Sequence, residues 1–419
     1  MSLLAITLCL LLFFTHYYFL DGVAEAASRA SFGRKKGAAA AFPPLPSDGI
    51  CASSVTVHGY KCQELQVTTE DGYILSLQRI PEGRRSENNN GNNKKQPVII
   101  QHGVLVDGVT WLLNSPEQNL PLILADNGFD VWIANTRGTK FSRRHTSLDP
   151  SQPAYWNWSW DELVSYDLPA VFNYVSSQTG GQKIHYIGHS LGTLMALASF
   201  SEGKLVNQVK SAALLSPIAY LSHMTTRLLD LAARFYIDQL TRIFGLSEFI
   251  PKGLPVQLFL RELCAQPGVD CNDLVTAITG PNCCLNSSAL DLFFMNEPLT
   301  TSTKNLVHLA QIVRSGVLAK FNYVRADYNI QHYGERFPPI YNLSNIPHDL
   351  PLFLSYGGQD ALSDVLDVAT LLDYLKLHDV DKITVQFIKN YAHADFIMGV
   401  NAKDIVYNAI ISFFNRQFN

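Results

Sequence analysis

The sequence has little charge. Only 16% of its 419 residues are Asp, Glu, Lys or Arg, and the formal net charge is −4. That balance implies no basic surface for nucleic acid. There is no Walker A run and no dinucleotide-binding glycine pattern, so no nucleotide site is inferred. No internal repeat is visible, which excludes a solenoid or propeller. The cysteines do not fall into two spaced ligand pairs, so no structural zinc and no other metal is expected. What the chain has in quantity is apolar residues, at 47%. That is enough for a large core and excludes global disorder.

Residues 3–20 are nearly all apolar, and Ala24-Glu25-Ala26 has the small-x-small form of a signal-peptidase site. Residues 1–26 therefore read as a signal peptide, with a signal anchor as the alternative. Residues 27–48, rich in Ala, Pro and Gly with a basic cluster at Arg34, Lys35 and Lys36, read as a linker or leader. Export leads to the extracellular space or the endomembrane lumen, including a lysosome or vacuole. Cys9 lies in the signal peptide, and six cysteines remain, an even set suited to disulfides: Cys51, Cys62, Cys264, Cys271, Cys283 and Cys284. Cys51 and Cys62 are placed to close a short loop. Adjacent Cys283 and Cys284 are not expected to pair with each other. Asn157, Asn286 and Asn342 begin Asn-x-Ser sequons and are candidate glycan sites.

Folding is expected to begin near Cys62, with a hairpin of strands over 63–69 and 73–80 turning at Glu70-Asp71-Gly72. From Pro97 strands and helices alternate. Strands are predicted over 98–101, 130–134, 183–187 and 209–215, and helices over 120–126, 161–177 and 191–200. This order predicts an α/β fold: a mostly parallel sheet with helices on both faces. After Ser216-Pro217 the alternation stops, and helices are expected over 228–250, 258–263, 274–278 and 306–315. It resumes with strands over 351–356 and 383–387 and helices over 365–377 and 402–414. Core residues 49–215 and 348–419 thus flank an insertion, 216–347, expected to form a helical cap or lid.

Gly188-His189-Ser190-Leu191-Gly192 is a G-x-S-x-G run between a predicted strand and a predicted helix. That context makes it a nucleophile elbow, where a strained turn lifts the serine hydroxyl out of the sheet. A serine hydroxyl is a poor nucleophile near neutral pH; it needs a base, and the base needs an orienting acid. In this architecture the chain order is Ser, then acid, then His. The strand over 351–356 leads to Asp360, and the strand over 383–387 leads to His393. Asp364 and Asp367 fall too far into the next helix, and His378, before the last strand, reads as a surface residue. His185 and His189 make a poor metal pair. His102-Gly103 follows the first parallel strand, so the main-chain N–H groups of Val104 and Leu191 are the candidate oxyanion donors. No metal or organic cofactor is required.

With these residues in place, the chain resembles the acid lipase family of gastric and lysosomal lipases and its plant branch. The resemblance runs from about Cys62 to the C-terminus. It rests on Thr69-Glu70-Asp71-Gly72-Tyr73, Gln101-His102-Gly103, Asn135-Thr136-Arg137-Gly138, Trp160-Asp161-Glu162, Tyr166-Asp167-Leu168-Pro169, Gly188-His189-Ser190, Gly357-Gly358-Gln359-Asp360 and His393-Ala394-Asp395-Phe396. The family's triad falls on Ser190, Asp360 and His393, and its oxyanion donors on Val104 and Leu191. Two positions depart from the family pattern: Leu191 stands where Gln is usual, and Ala392 stands where Asn often precedes the histidine. The resemblance implies hydrolysis of triacylglycerols and other lipid esters, often at acidic pH.

The expected activity is therefore a lipase acting through an acyl-enzyme. An esterase or acyltransferase with the same triad is the alternative, and a non-catalytic lipid-binding protein is a remoter one. Apolar residues such as Leu228, Leu229, Phe235, Phe244, Phe249 and Ile250 suggest either contact with lipid aggregates or a helical subdomain that packs them inward. No obligate protein partner is inferred.

Overall fold

The computed structural model describes residues 49–84, 95–226, 229–230, 233, 246–251, 253 and 274–418. All of them belong to one compact unit, residues 46–419. The leader, the linker, Cys264, Cys271 and most of the predicted helices between 228 and 263 lie outside the described residues.

The strands are β1 (Gln63–Thr68), β2 (Tyr73–Ile80), β3 (Pro97–Gln101), β4 (Asp130–Ala134), β5 (Arg144–His145), β6 (Ile184–His189), β7 (Val209–Leu215), β8 (Glu248–Phe249), β9 (Thr301–Ser302), β10 (Leu352–Gly357) and β11 (Ile383–Ile388). The main sheet runs β1-β2-β4-β3-β6-β7-β10-β11, with β5 on β2. The β1–β2 and β2–β4 pairs are antiparallel, and the pairs from β4 through β3, β6, β7 and β10 to β11 are parallel. The sheet is mixed but mostly parallel, as the alternation of elements implied.

A parallel sheet covered on both faces needs apolar residues pointing both ways. Successive residues of β4 show this. Trp132 and Ala134 enter one core cluster, with Trp160, Phe172 and Leu194. Val131 and Ile133 enter the other, with Trp111, Phe129 and Phe414. The helix Leu191–Ser201 is buried along its whole length, so its sequence has no polar face. The helix Leu168–Thr179 buries one stripe, Leu168, Val171, Phe172 and Val175, and stops at Gly180 with φ 76°.

Three expectations change. The fold begins before Cys62: the helix Ile50–Ser54 puts Ile50 in the core, and a disulfide from Cys51 to Cys62 ties it to the start of β1. Residues 248–249 are a strand, not helix, because β8 pairs with β9. His378 is buried, not on the surface, with Nε2 at 2.8 Å from the Leu350 carbonyl ahead of β10.

Between β7 and β10 the chain leaves the sheet. Its described helices there include Leu274–Thr279, Ser287–Asn296, Thr303–Ser315 and Ala326–Tyr333. Among the described residues, no helix is long and apolar enough to cross a membrane.

Candidate active site

Ser190 follows β6 directly, with φ 54° and ψ −119°, a strained conformation for a non-glycine residue. The two glycines of the elbow are needed for close approach. A Cβ on Gly188 would lie 2.7 Å from the Gly192 carbonyl carbon, and one on Gly192 would lie 2.7 Å from the Gln101 carbonyl oxygen. The turn is held by the Ser190 N–H donating to the Leu215 carbonyl at 3.2 Å and the Thr193 hydroxyl donating to the Ser190 carbonyl at 2.6 Å.

Asp360 follows β10 and His393 follows β11. Both carboxylate oxygens of Asp360 lie 3.0 Å from His393 Nδ1, and both residues are buried. Burial pushes the Asp360 carboxyl up, but the charge of His393, its hydrogen bond and the N–H groups of Ser363 and Leu362 more than offset this, holding it below the ordinary range. The rivals are occupied elsewhere: Asp364 caps the helix Val365–Tyr374, and Asp367 binds His223.

The serine and histidine loops meet through His189. Its Nε2 lies 3.0 Å from the His393 carbonyl, and the two rings are 4.7 Å apart. Sequence reasoning gave His189 no part in the site; the signal available was only its place inside the elbow. Ser190 Oγ itself forms no hydrogen bond among the described residues.

The loop after β3 passes directly over the elbow. A Cβ on Gly103 would meet Ser190 Cβ at 3.0 Å and its Oγ at 3.5 Å. His102 is fixed beneath it: Nε2 accepts the Thr136 N–H at 3.1 Å, leaving Nδ1 to donate to the Gly103 carbonyl at 2.7 Å. Neither the Val104 nor the Leu191 N–H has an acceptor among the described residues. Both residues line one small recess with Gly103, Leu105, Trp158 and Asn305.

Arg137, which lies in the Asn135-Thr136-Arg137-Gly138 run, is a buried cation at this end of the sheet. It binds Asp167 through Nε at 2.7 Å and both oxygens of Asp71 at 2.6 and 2.9 Å, and lies 3.8 Å over the Tyr73 ring. It thus ties the β1–β2 turn to the segment holding Thr136.

Cys283 and Cys284 are bonded to each other, against expectation. The turn that permits it is shaped from outside: Asp395 draws both of their N–H groups to its carboxylate. Among the described residues these three are the one group close enough to hold a metal. The joined sulfurs and the N–H-bound carboxylate do not fit one. Of the sequon residues, Asn157 and Asn342 are exposed, while Asn286 caps the helix Ser287–Asn296.

Four of the buried histidines are held in the neutral form. Burial pulls His102 down to about 4, and His185, His189 and His308 to about 3. Such a group contributes stability that is full above its ordinary value near 6.5 and is lost as pH falls toward the folded value. Burial pushes Asp107 and Asp161 up to about 6, from an ordinary 3.8, and these act oppositely, losing their contribution as pH rises through about 6. Burial also pushes the Asp167 and Asp395 carboxyls up, so four acids oppose the four histidines. The histidine loss sets in at the higher pH, near 6.5, so stability is expected to fall on acidification from pH 7 to 5. Replacing His185 by Phe should flatten that slope, by up to about 1.4 kcal/mol per pH unit once the pH is below 6.5. Urea titrations across this range check it; a flat or rising stability would contradict it.

A serine elbow after a central parallel strand, with acid and base on loops after later strands, defines the α/β-hydrolase class. Family models agree: residues 51–115 match a partial alpha/beta-hydrolase lipase region, and residues 96–267 match the alpha/beta hydrolase fold. The chain is 60% identical to triacylglycerol lipase 2 of Arabidopsis thaliana over 402 residues, covering 96% of this chain and 95% of that one. It is 35% identical to human gastric triacylglycerol lipase over 369 residues, 87% and 90% of the two chains. Among solved structures, a lipase in its open form aligns with a TM-score of 0.55 at 16% identity, over 86% of this chain and all of that one. A Saccharomyces cerevisiae monoglyceride lipase aligns at 0.53 and 14%, over 86% and 97%. These two show the fold alone. The chain belongs to the acid lipase family of the α/β-hydrolases and is a serine carboxylic-ester hydrolase.

Proposed function

We propose that this enzyme hydrolyses acylglycerol esters through a triad of Ser190, His393 and Asp360 and an acyl-enzyme intermediate. The observation that carries the reading is the strained Ser190, whose elbow is joined to the His393 loop through His189, together with a His393 imidazole clasped by both oxygens of Asp360. The substrate class is supported by the names of the relatives, which are triacylglycerol lipases from plant and animal. Substrate entry closes the bond from Ser190 Oγ to the free imidazole nitrogen. His393 takes the hydroxyl proton as Oγ attacks the ester carbonyl, and Asp360 stabilises the cation formed. The Val104 and Leu191 N–H groups hold the oxyanion. The alcohol leaves with the proton from His393, and water then releases the fatty acid by the same route.

Residues 216–347 serve in this reading as the cap over the site, and exposed apolar residues there, such as Ile250, Phe294 and Met295, meet the lipid surface. The leader and the Cys51–Cys62 bond support export. The test is fatty-acid release from triacylglycerol and from short soluble esters, each below and above its solubility limit. A lipase with a mobile cap shows turnover of long-chain substrate that rises sharply on emulsion formation. Activity confined to soluble short esters would leave an esterase instead.

A further inference from the structure

The loop carrying His393 is held by a segment from outside the sheet. Residues 392, 393 and 394 each have an assigned N–H acceptor. The Ala392 N–H donates to Asp395 Oδ2 at 2.8 Å, that of His393 to the Thr279 carbonyl at 3.1 Å, and that of Ala394 to Asn282 Oδ1 at 3.2 Å. Asp395, fully buried, also accepts the N–H groups of Cys283 at 3.1 Å and Cys284 at 3.0 Å. The same segment reaches the acid loop. The Ala361 N–H donates to the Thr279 carbonyl at 3.3 Å, and Gly280 packs so tightly that a Cβ would fall 2.0 Å from the Gln359 carbonyl oxygen. The Asn282 amide is aimed in turn by Thr279 Oγ1 at 2.7 Å and the Gly280 carbonyl at 3.0 Å.

From these contacts we infer that Asp395 and the segment 279–284 form a clamp that positions the His393 imidazole against Asp360. The inference rests on the proposed triad. Asp395 touches no reacting atom and is a positioning residue. A carboxylate suits the task because it offers two oxygens, and hence enough lone pairs for three N–H donors. An amide offers one oxygen and turns its own N–H toward a donor. The bonded Cys283–Cys284 pair limits the turn that presents two of those donors. The clamp also supplies a hold on the histidine loop where Ala392 provides no side-chain hydrogen bond.

The test compares wild type, Asp395→Asn, Asn282→Ala and Asn282→Asp on p-nitrophenyl butyrate. Folding is checked by circular dichroism, and the active fraction is titrated with a serine-reactive phosphonate. Asp395→Asn is expected to lower kcat per active site at least tenfold with KM within twofold. The acid limb of kcat/KM should move to lower pH, because the imidazolium loses alignment with Asp360 and a nearby negative charge. Asn282→Ala should lose at least threefold, and Asn282→Asp, which keeps the acceptor, should recover most of it. A purely structural role would lower the active fraction without moving the limb, and that result overturns the clamp, as does an unchanged kcat. If Asp395→Asn does not fold, the Asn282 pair decides by the same criteria. Ser190→Ala run alongside separates the two readings: activity there sinks the triad, whereas an inactive Ser190→Ala beside an unaffected Asp395→Asn sinks only the clamp.

Discussion

Ser190→Ala is expected to lower kcat on the order of 10⁶-fold while leaving the fold intact. No neighbouring group can replace the lost nucleophile. Asp360 is committed to His393 by two contacts of 3.0 Å, and the nearby His102, bound through both ring nitrogens, and His189, bound through Nε2, are held neutral by burial. Only weak residual catalysis from the oxyanion donors and substrate binding should remain. Stability should hardly change. Alanine keeps the same Cβ in the same strained backbone, and Ser190 Oγ gives up no hydrogen bond. Turnover by a titrated preparation and a urea midpoint together check both halves of this expectation. Turnover within a hundredfold of wild type would mean that another residue attacks the ester.

The second large effect lies away from the reacting atoms. Arg137→Met should cost about 3–5 kcal/mol of stability, because it strands two carboxylates around a buried hole. Asp167 is almost fully buried and Asp71 partly so, and both lose the guanidinium that neutralises them. Methionine fills much of the volume, so the loss reports charge more than cavity. Adding Asp167→Asn to that variant removes one unpaired charge and should restore part of the stability. Equilibrium denaturation of wild type, both single variants and the double variant measures the coupling. Additive losses would show that Arg137 and Asp167 act independently, contrary to the 2.6 Å ion pair. Activity should fall as well, since Thr136, next to Arg137, supplies the N–H that fixes His102 under the oxyanion loop.

Most of the sheet was legible because burial on both faces leaves short apolar runs that chain order alone can arrange. Strands 73–80 and 130–134 and the helix 120–126 have the bounds that the pattern implied. Ser190, Asp360 and His393 could be assigned because each stands at the end of a strand or on the loop just past one, where fold topology limits the choices. The parts that could not be read depend on contacts between distant segments. Nothing local marks His378 as buried; its environment comes from Leu350 across the fold. The Cys283–Cys284 bond is disfavoured by adjacency alone and becomes accessible in a turn that Asp395, 111 residues away from Cys284, helps to shape. Likewise His189 looks like the variable position of the elbow until the His393 carbonyl is placed against its ring. The two-residue strand β8 is too short to leave any periodicity.

The central claim is that one hydroxyl in this chain is made nucleophilic by one imidazole. Reaction with a fluorophosphonate, followed by intact-mass measurement and peptide mapping, tests it most directly. A single adduct on Ser190, absent from Ser190→Ala and formed orders of magnitude more slowly in folded His393→Ala, is the predicted result. An adduct on a different residue, or labelling of Ser190 at an unchanged rate without His393, would contradict it.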